Sequence, residues 1–438
     1  MAKHLHSIYN NAVLYFIFKA FYKKNNNLDC KGEFVMFKKF ALLALTGCLI
    51  QFPAHAAPLL NPDSVAPQKR IADANSWVEI DEQAFTRNLE KLKKTVIPKS
   101  KVCAIIKADA FGHGIDLLMP AIMRSNVSCI GVTGNEEARL VRQSGYKGTL
   151  IRVRTAVPAE VRNALQYNIE EMVGGLEYAR ELSAIAKSAK RPIKVHLVLN
   201  AKGLSRNGLE TSTEQGKKEA VAITKLDGIK ITGIMTHYPV EGEQDVKKSL
   251  AIFLKEADWL IKTAKLKRND ILLHTSNTYA TIFVPDTRLD AVRVAAALFG
   301  YGAPGYEEVM TFKTKVASVN KYPKGNSVGY DRTFVLKRDS RLANLPIGYS
   351  DGYVRNFGNK GHVIINGHRV PVVGTISMNT TMVDVTDYPD IKAGDEVVLY
   401  GRQGSERVTQ EEVEKGMGTM LLELYSIWGN SNPKILKK

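Results

Sequence analysis

Eight short apolar runs alternate with amphipathic stretches across residues 77–304, and this alternation confines that part of the chain to an α/β architecture. The runs are VCAIIKA, SCIGVTG, GTLIRVR, IEEMVGG, VHLVLN, GIMTHY, ILLHTS and AVRVAA. Residues 136–144, 158–167, 176–187 and 246–264 lie among them and carry apolar side chains at helical spacing. Unbroken apolar strands joined by helices form parallel sheets covered on both faces. Eight such units predict a (β/α)8 barrel, whose reactive groups gather at the C-terminal ends of the strands. Lys107, Arg152, Arg154, Asn200, His237, His274 and Arg293 all fall at or just past such ends.

After Gly305 the period changes to two. FKTKVASVNKYP, RTFVLK, RLANLPIG, HVIINGHRVPVVG, TTMVDVTD and DEVVLYG are separated by Gly, Asn and Pro, which predicts an all-β domain. The reading is therefore a barrel over 77–305 and a β domain over 306–438. A leader occupies 1–56, and an irregular arm 57–76.

In the leader, Met36-Phe37-Lys38-Lys39 is a basic start, residues 40–52 are apolar, and Ala54-His55-Ala56 is a small-residue cleavage site. This predicts a secretory signal cut after Ala56, too short for a stable membrane anchor, with translation starting at Met36. Leu45-Thr46-Gly47-Cys48 offers a second reading, a lipoprotein signal. Seven Lys/Arg against two Asp/Glu in the leader account for +5 of the net charge of +17. The remaining lysines are scattered and follow no nucleic-acid-binding motif, so a solvated surface is expected and no nucleic-acid partner. Export leaves Cys103 and Cys129, in VCAII and VSCIGV, on successive strands of the barrel. Neighbouring strands in an oxidising compartment favour a disulfide over two reduced core thiols.

Lys107 ends the apolar strand 102–106 and opens a small-residue loop, KADAFGHG. Partial loss of hydration favours its neutral amine, which can condense with an aldehyde, so Lys107 is a candidate anchor for pyridoxal 5'-phosphate. A lysine snorkelling from a strand end is the plainer alternative.

The run VCAIIKADAFGHG resembles the cofactor-lysine motif of the alanine racemase family. The likeness extends through WVEIDEQAFTRNLEKL, THYP, HTSNT, LDAVRVAAALFG, SVGYDRTF, LPIGYSDGY, VPVVGTISMNTTMVDVTD and GDEVVLYGRQG, in the family's order, over nearly all of 77–438. The resemblance implies a barrel followed by a β domain, a homodimer with shared sites, and two-base racemisation of amino acids. Lys107 and Tyr330 are then the two bases, with Tyr330 coming from the other subunit. Arg293 faces the pyridine nitrogen; a guanidinium is a donor only, so it leaves that nitrogen unprotonated. His237 and His274 correspond to the imidazoles that link this arginine to the catalytic tyrosine. Asn277 and Thr278, with the backbone N–H groups of Ala295 and Ala296, correspond to a phosphate cradle. Arg206 corresponds to the arginine that positions the phenolic oxygen and the substrate carboxylate. Met378 and Asn379 stand beside that carboxylate, and Tyr349 lines the substrate corridor.

Departures from the strict alanine enzymes point to the periplasmic broad-specificity racemases of the family. The phosphate-binding tyrosine is Phe111, and the final tyrosine of the family is missing from the ending IWGNSNPKIL. Val198 and Asn200 replace a lysine and an aspartate, and Asn379 replaces an aspartate. Asn200 and Asn207 then read as determinants of broader acceptance, with Lys, Arg, Ala, Ser and Met as expected substrates. A strict alanine racemase and a non-enzymatic cofactor-binding barrel are the rival readings. Arg152 and Arg154 share one strand face, suited to an anion or to acidic neighbours.

Overall fold

The computed structural model describes residues 73–437; the leader and nearly all of the arm lie outside the described residues. The strands in chain order are β1 (Ser76–Ile80), β2 (Lys101–Ile105), β3 (Cys129–Val132), β4 (Thr149–Arg152), β5 (Glu171–Val173), β6 (Ile193–Val198), β7 (Ile229–Met235), β8 (Leu272–His274) and β9 (Ala291–Val294). All eight predicted barrel strands form, as β2 to β9. Parallel pairing runs β9-β2-β3-β4 and β5-β6-β7-β8. Two seams close the ring: the bridge Ile151–Glu170 joins β4 to β5, and Asp290 N–H and Arg293 N–H donate to Leu273 O at 3.0 Å and Ser276 O at 2.9 Å across β8 and β9.

The helix Glu82–Val96 shows why the outer ring forms where it does. Asp81 caps it by accepting from Ala84 N–H at 2.8 Å, and Lys93 and Lys94 sit in its last turn, favourable to the helix dipole. Phe85, Leu89, Leu92 and Val96 recur at three- and four-residue spacing and are buried. Each contributes roughly 1.5–3 kcal/mol by leaving water, so Leu89→Ala would cost about 2–5 kcal/mol.

The second domain holds β10 (Met310–Lys315), β11 (Ser318–Tyr322), β12 (Ser327–Val328), β13 (Phe334–Val335), β14 (Ser340–Leu345), β15 (His362–Ile365), β16 (His368–Pro371), β17 (Thr381–Asp384), β18 (Glu396–Gln403), β19 (Glu406–Val408) and β20 (Lys434–Leu436). Its main sheet runs β16-β15-β18-β10-β1-β20, with β19 beside β18. Two expectations need correction here. β1, placed by its sequence at the start of the barrel, pairs antiparallel with β10 and parallel with β20, so it belongs to the second domain. Its nearly continuous burial suits either place, and only the distant partner decides. The domain is also not all β. Thr409, as N-cap with Glu412, opens a helix at Gln410–Met417, and a second helix spans Leu421–Ser431.

That last helix lies backbone to backbone on the loop after Lys107. Gly112 has φ +79°, and a Cβ there would stand 2.0 Å from Tyr425 O; a Cβ on Gly429 would stand 1.8 Å from Gly112 O. Glycine is required on both sides of this contact.

Cys103 and Cys129 are joined by a disulfide, with Cα atoms 4.3 Å apart across directly paired positions of β2 and β3. Among the described residues no helix is long and apolar enough to cross a membrane.

Candidate active site

Lys107 stands at the C-terminal end of β2, at the barrel mouth. Burial, and then the nearby Arg206 guanidinium, push its pKa below the usual lysine range. Its loop is strained: Ala108, Asp109, Ala110 and Phe111 have φ of 54°, 52°, 54° and 54°. A left-handed turn costs about 1–2 kcal/mol per L residue, so specific bonds must hold it. Glu137 Oε1 accepts from Ala108 N–H at 2.6 Å, and Asp109 accepts from Ile115 N–H at 2.8 Å and pairs with Lys434 at 3.1 Å. Phe111 lays its ring 5.8 Å from Lys107 Nζ.

Arg293, on β9, is 7% exposed. Its Nη1 donates to His274 Nδ1 at 3.0 Å and His274 O at 2.9 Å. Its Nη2 donates to Thr236 O at 2.9 Å and Thr275 O at 3.1 Å, and reaches His237 Nδ1 at 3.3 Å. Among the described residues its Nε–H has no hydrogen-bond partner, so that donor remains for a ligand. Burial, then Arg293, Arg206 and Lys107, hold His237 neutral, with its pKa near about 3. Three cations thus bear on one small space.

Two expected cofactor contacts are taken up by the protein itself. His274 is fully buried, and burial followed by Arg293 holds it neutral. Its second nitrogen, Nε2, meets His196 Nδ1 at 2.7 Å, and His196 Nε2 meets Glu170 Oε2 at 2.9 Å. Both ring nitrogens of His274 are therefore taken, by Arg293 and by His196. The Ala295 N–H donates to Thr278 Oγ1 at 3.2 Å, which removes it from the predicted cradle. Asn277 caps the helix Thr278–Phe283 through its Oδ1, accepting from Ala280 N–H at 2.9 Å. Ala296 opens the following 3-10 turn, Ala296–Phe299, beside them.

His196 and Glu170 went unnoticed in the sequence. The available signal was a histidine amid the apolar strand VHLVLN and a carboxylate at the head of IEEMVGG. Arg152 and Arg154 are ion-paired with acidic neighbours, Glu171 at 2.8 Å and Glu160 at 2.5 Å. Arg206 is exposed at the mouth; Asn207 donates to Thr155 Oγ1 at 3.2 Å, and Asn200 to Glu210 Oε2 at 2.7 Å. Val198 is buried with Met172 and Met235.

The other predicted site residues gather on the second domain. Tyr330, Met378 and Tyr349 are 67%, 55% and 41% exposed. Asn379 Nδ2 donates to Ser350 Oγ at 2.7 Å, and Ser350 N–H to Met378 O at 3.1 Å, so two turns support one another. Within the described chain no hydrogen bond or ion pair joins these four residues to Lys107, Arg206 or Arg293.

A closed barrel with a lysine and a buried arginine at its mouth, carrying an appended β domain, defines the class of enzyme-type fold to which this chain belongs. The sequence matches the alanine racemase N-terminal domain over residues 80–303 and the C-terminal domain over 309–436. The chain belongs to the alanine racemase family. It is 54% identical over 398 residues to a protein of Pseudomonas taetrolens named broad specificity amino-acid racemase, covering 90% of this chain and 97% of that one. It is 47% identical over 397 residues to a lysine racemase of Proteus mirabilis, again covering 90% and 97%. Among solved structures, the alanine racemase of Clostridium difficile 630 superposes with a TM-score of 0.77 at 27% identity, covering 83% of this chain and 96% of that one.

Proposed function

We propose that this chain is a pyridoxal-phosphate-dependent amino-acid racemase of broad specificity, exported to the periplasm and active as a homodimer. The observation that carries the reading is the mouth of the barrel, where a lysine of lowered pKa shares its space with Arg206 and the unpartnered Nε–H of Arg293. Arg206 and Arg293 favour an anionic occupant, and the Lys107 amine, its pKa lowered by burial and by Arg206, supplies a nucleophile for an aldehyde. The residues therefore fit this cofactor. Lys107 would hold it covalently, while Asn277, Thr278 and the Ala296 N–H would hold its phosphate. When bound, the cofactor supplies an electron sink that acidifies the α-hydrogen of an amino acid.

Lys107 Nζ takes or returns that proton on one face, and the partner subunit's Tyr330 Oη does so on the other. Arg293 keeps its own proton and donates from Nε, and His237 bridges it toward the mouth. Arg206, Met378 and Asn379 orient the substrate carboxylate, and Tyr349 borders the approach. The exposure of Tyr330, Met378 and Tyr349 supports a shared site, since a base held in water and not bonded to the Lys107 site has no evident use in its own chain. The disulfide supports an oxidising compartment. Breadth of substrate is supported by the neutral Val198, Asn200 and Asn379 where strict alanine enzymes carry charge, and by the names of the relatives. The deciding test is a chiral assay of the purified mature protein against the twenty L-amino acids. D-product from several side-chain classes is expected, and no D-product from any would end the proposal.

A further inference from the structure

A polar column runs down the inside of the barrel from Arg293 to Glu170, and its ends fix its direction. Arginine is a donor only and an ionised carboxylate is an acceptor only. Arg293 Nη1–H points at His274 Nδ1, which must be bare. The His274 proton then lies on Nε2 and points at His196 Nδ1, which must be bare in turn. The His196 proton lies on Nε2 and is received by Glu170 Oε2. The same oxygen accepts from Thr232 Oγ1 at 2.7 Å, while Lys194 Nζ lies 3.3 Å from Oε1. Burial pushes the Glu170 pKa up, but the bonds from His196 and Thr232 and the Lys194 charge hold its carboxyl below the usual carboxylate range. His196 and His274 are wholly enclosed, and His274 is edge-on to His196 with ring centroids 4.9 Å apart. With every donor pointing from the mouth to the base, the column cannot pass a proton without stripping Arg293. It acts as a clamp.

We propose that Glu170 and His196 are positioning residues for the reaction. From the far end of the barrel they hold His274 as its Nε2–H tautomer, so that Arg293 is received by Nδ1 and keeps its Nε–H aimed at the mouth. This rests on the cofactor reading above. Without an acceptor at residue 170, His196 is free to carry its proton on Nδ1. His274 would then be forced to place an N–H against the Arg293 N–H at 3.0 Å, and the guanidinium would turn. Removing the carboxylate behind a metal-ligating imidazole costs about 10–100-fold, and a loss on that scale is expected for this ring. Glu170 and Thr232 also line an open cavity of about 810 Å³ at the N-terminal end of the barrel, so a substitution at 170 meets water and not a sealed core.

The experiment has two parts. In unsubstituted protein labelled with ¹⁵N-histidine, long-range ¹H–¹⁵N correlation should show His196 and His274 neutral, with Nδ1 bare and Nε2 protonated. A proton on either Nδ1 overturns the proposal, whatever the enzyme turns over. In the loaded enzyme, Glu170→Leu should lower kcat by roughly 10–100-fold with KM changed less than about threefold, and should shift the bound-cofactor absorption. Glu170→Gln, which keeps an acceptor oxygen, should recover most of that loss. Equal losses in the two variants would reduce Glu170 to a packing role. If Glu170→Leu does not fold, the histidine spectra and Glu170→Gln still decide. Absence of racemase activity in the unsubstituted protein would sink the functional reading and leave the tautomer result standing.

Discussion

The barrel axis and the exposed face of the second domain are built on opposite terms. Along the axis the polar groups are answered inside the chain, apart from the Arg293 Nε–H: both terminal nitrogens of Arg293 by two imidazoles and three carbonyls, His196 by Glu170. On the second domain, Tyr330, Tyr349 and Met378 stand out in solvent. Buried polar groups are worth keeping only when satisfied, and exposed aromatic and thioether groups are the common currency of contacts between subunits. One half of the site is finished within the chain. The other half stands open, as the proposed second copy would require.

The sharpest way to break this contrast is at its finished half. Lys107→Ala should lower racemisation by at least about 10³-fold, of the order expected for loss of a positioned base and covalent anchor together. It should also abolish borohydride-reducible cofactor; retention of covalent cofactor in that variant would reject Lys107 as the anchor. The exposed half is tested by Tyr330→Phe, expected to lose about 10²–10⁴-fold. Mixing Lys107→Ala and Tyr330→Phe chains should restore one complete site per heterodimer. No recovery in demonstrated heterodimers would place both bases on one chain and dissolve the contrast.

Stability separates the two regions next. The Cys103–Cys129 bond closes 26 residues within the barrel, so Cys103→Ala/Cys129→Ala should lower unfolding stability by about 3 kcal/mol, measured by urea titration. No change in the midpoint would mean that the strands hold their register unaided. The pH dependence should come chiefly from enclosed imidazoles. His113 is held at about 4 and His237 at about 3, both by burial first, while the unfolded value is near 6.5. Between these values the unfolded chain binds more protons. Stability should therefore be full above pH 6.5 and fall on acidification at up to roughly 1.4 kcal/mol per pH unit for each such ring. A flat denaturation midpoint between pH 6.5 and 4.5 would contradict their burial as neutral groups.

The smallest expected effect is between substrates. L-Lysine or L-arginine should be racemised within about two orders of magnitude of L-alanine, because a pocket distinguishes methylenes by only about 1–3 kcal/mol each. Turnover of alanine alone, by chiral chromatography, would return the chain to the strict alanine racemases.

The eight barrel strands were legible because parallel strands covered on both faces write themselves as apolar runs. The disulfide was legible because adjacency in chain order becomes adjacency in the sheet. β1 was misplaced because its apolar side chains record burial and not their partner, which lies at Met310–Lys315. The helices Gln410–Met417 and Leu421–Ser431 were passed over although T-Q-E-E at Thr409 is a capping signature. In the site, charged groups at strand ends were visible as a set. The direction of each hydrogen bond was not, because it depends on what donors and acceptors meet across the barrel. His274 was therefore expected to point toward the catalytic tyrosine and points to His196 instead.

The pairing of β1 with β20 bears on how the molecule can be assembled. Val78 is bound in register with Lys434, and Ile80 with Leu436, so a single sheet joins segments about as far apart as the described chain allows. The barrel is an insertion between β1 and β10, two neighbouring inner strands of that sheet. Closing it is a contact of very high sequence separation, and such contacts are slow because chain entropy is lost before they form. While the polypeptide is being made, the segment at 76–80 must wait as an unpaired strand until β10 at 310–315 has emerged, and one of its edges stays open until residue 436 has followed. A chain cut at the domain boundary would strand that segment permanently, leaving an open edge that invites association with other chains. Fragments ending near residue 305 should thus be aggregation-prone, although the barrel they contain is closed.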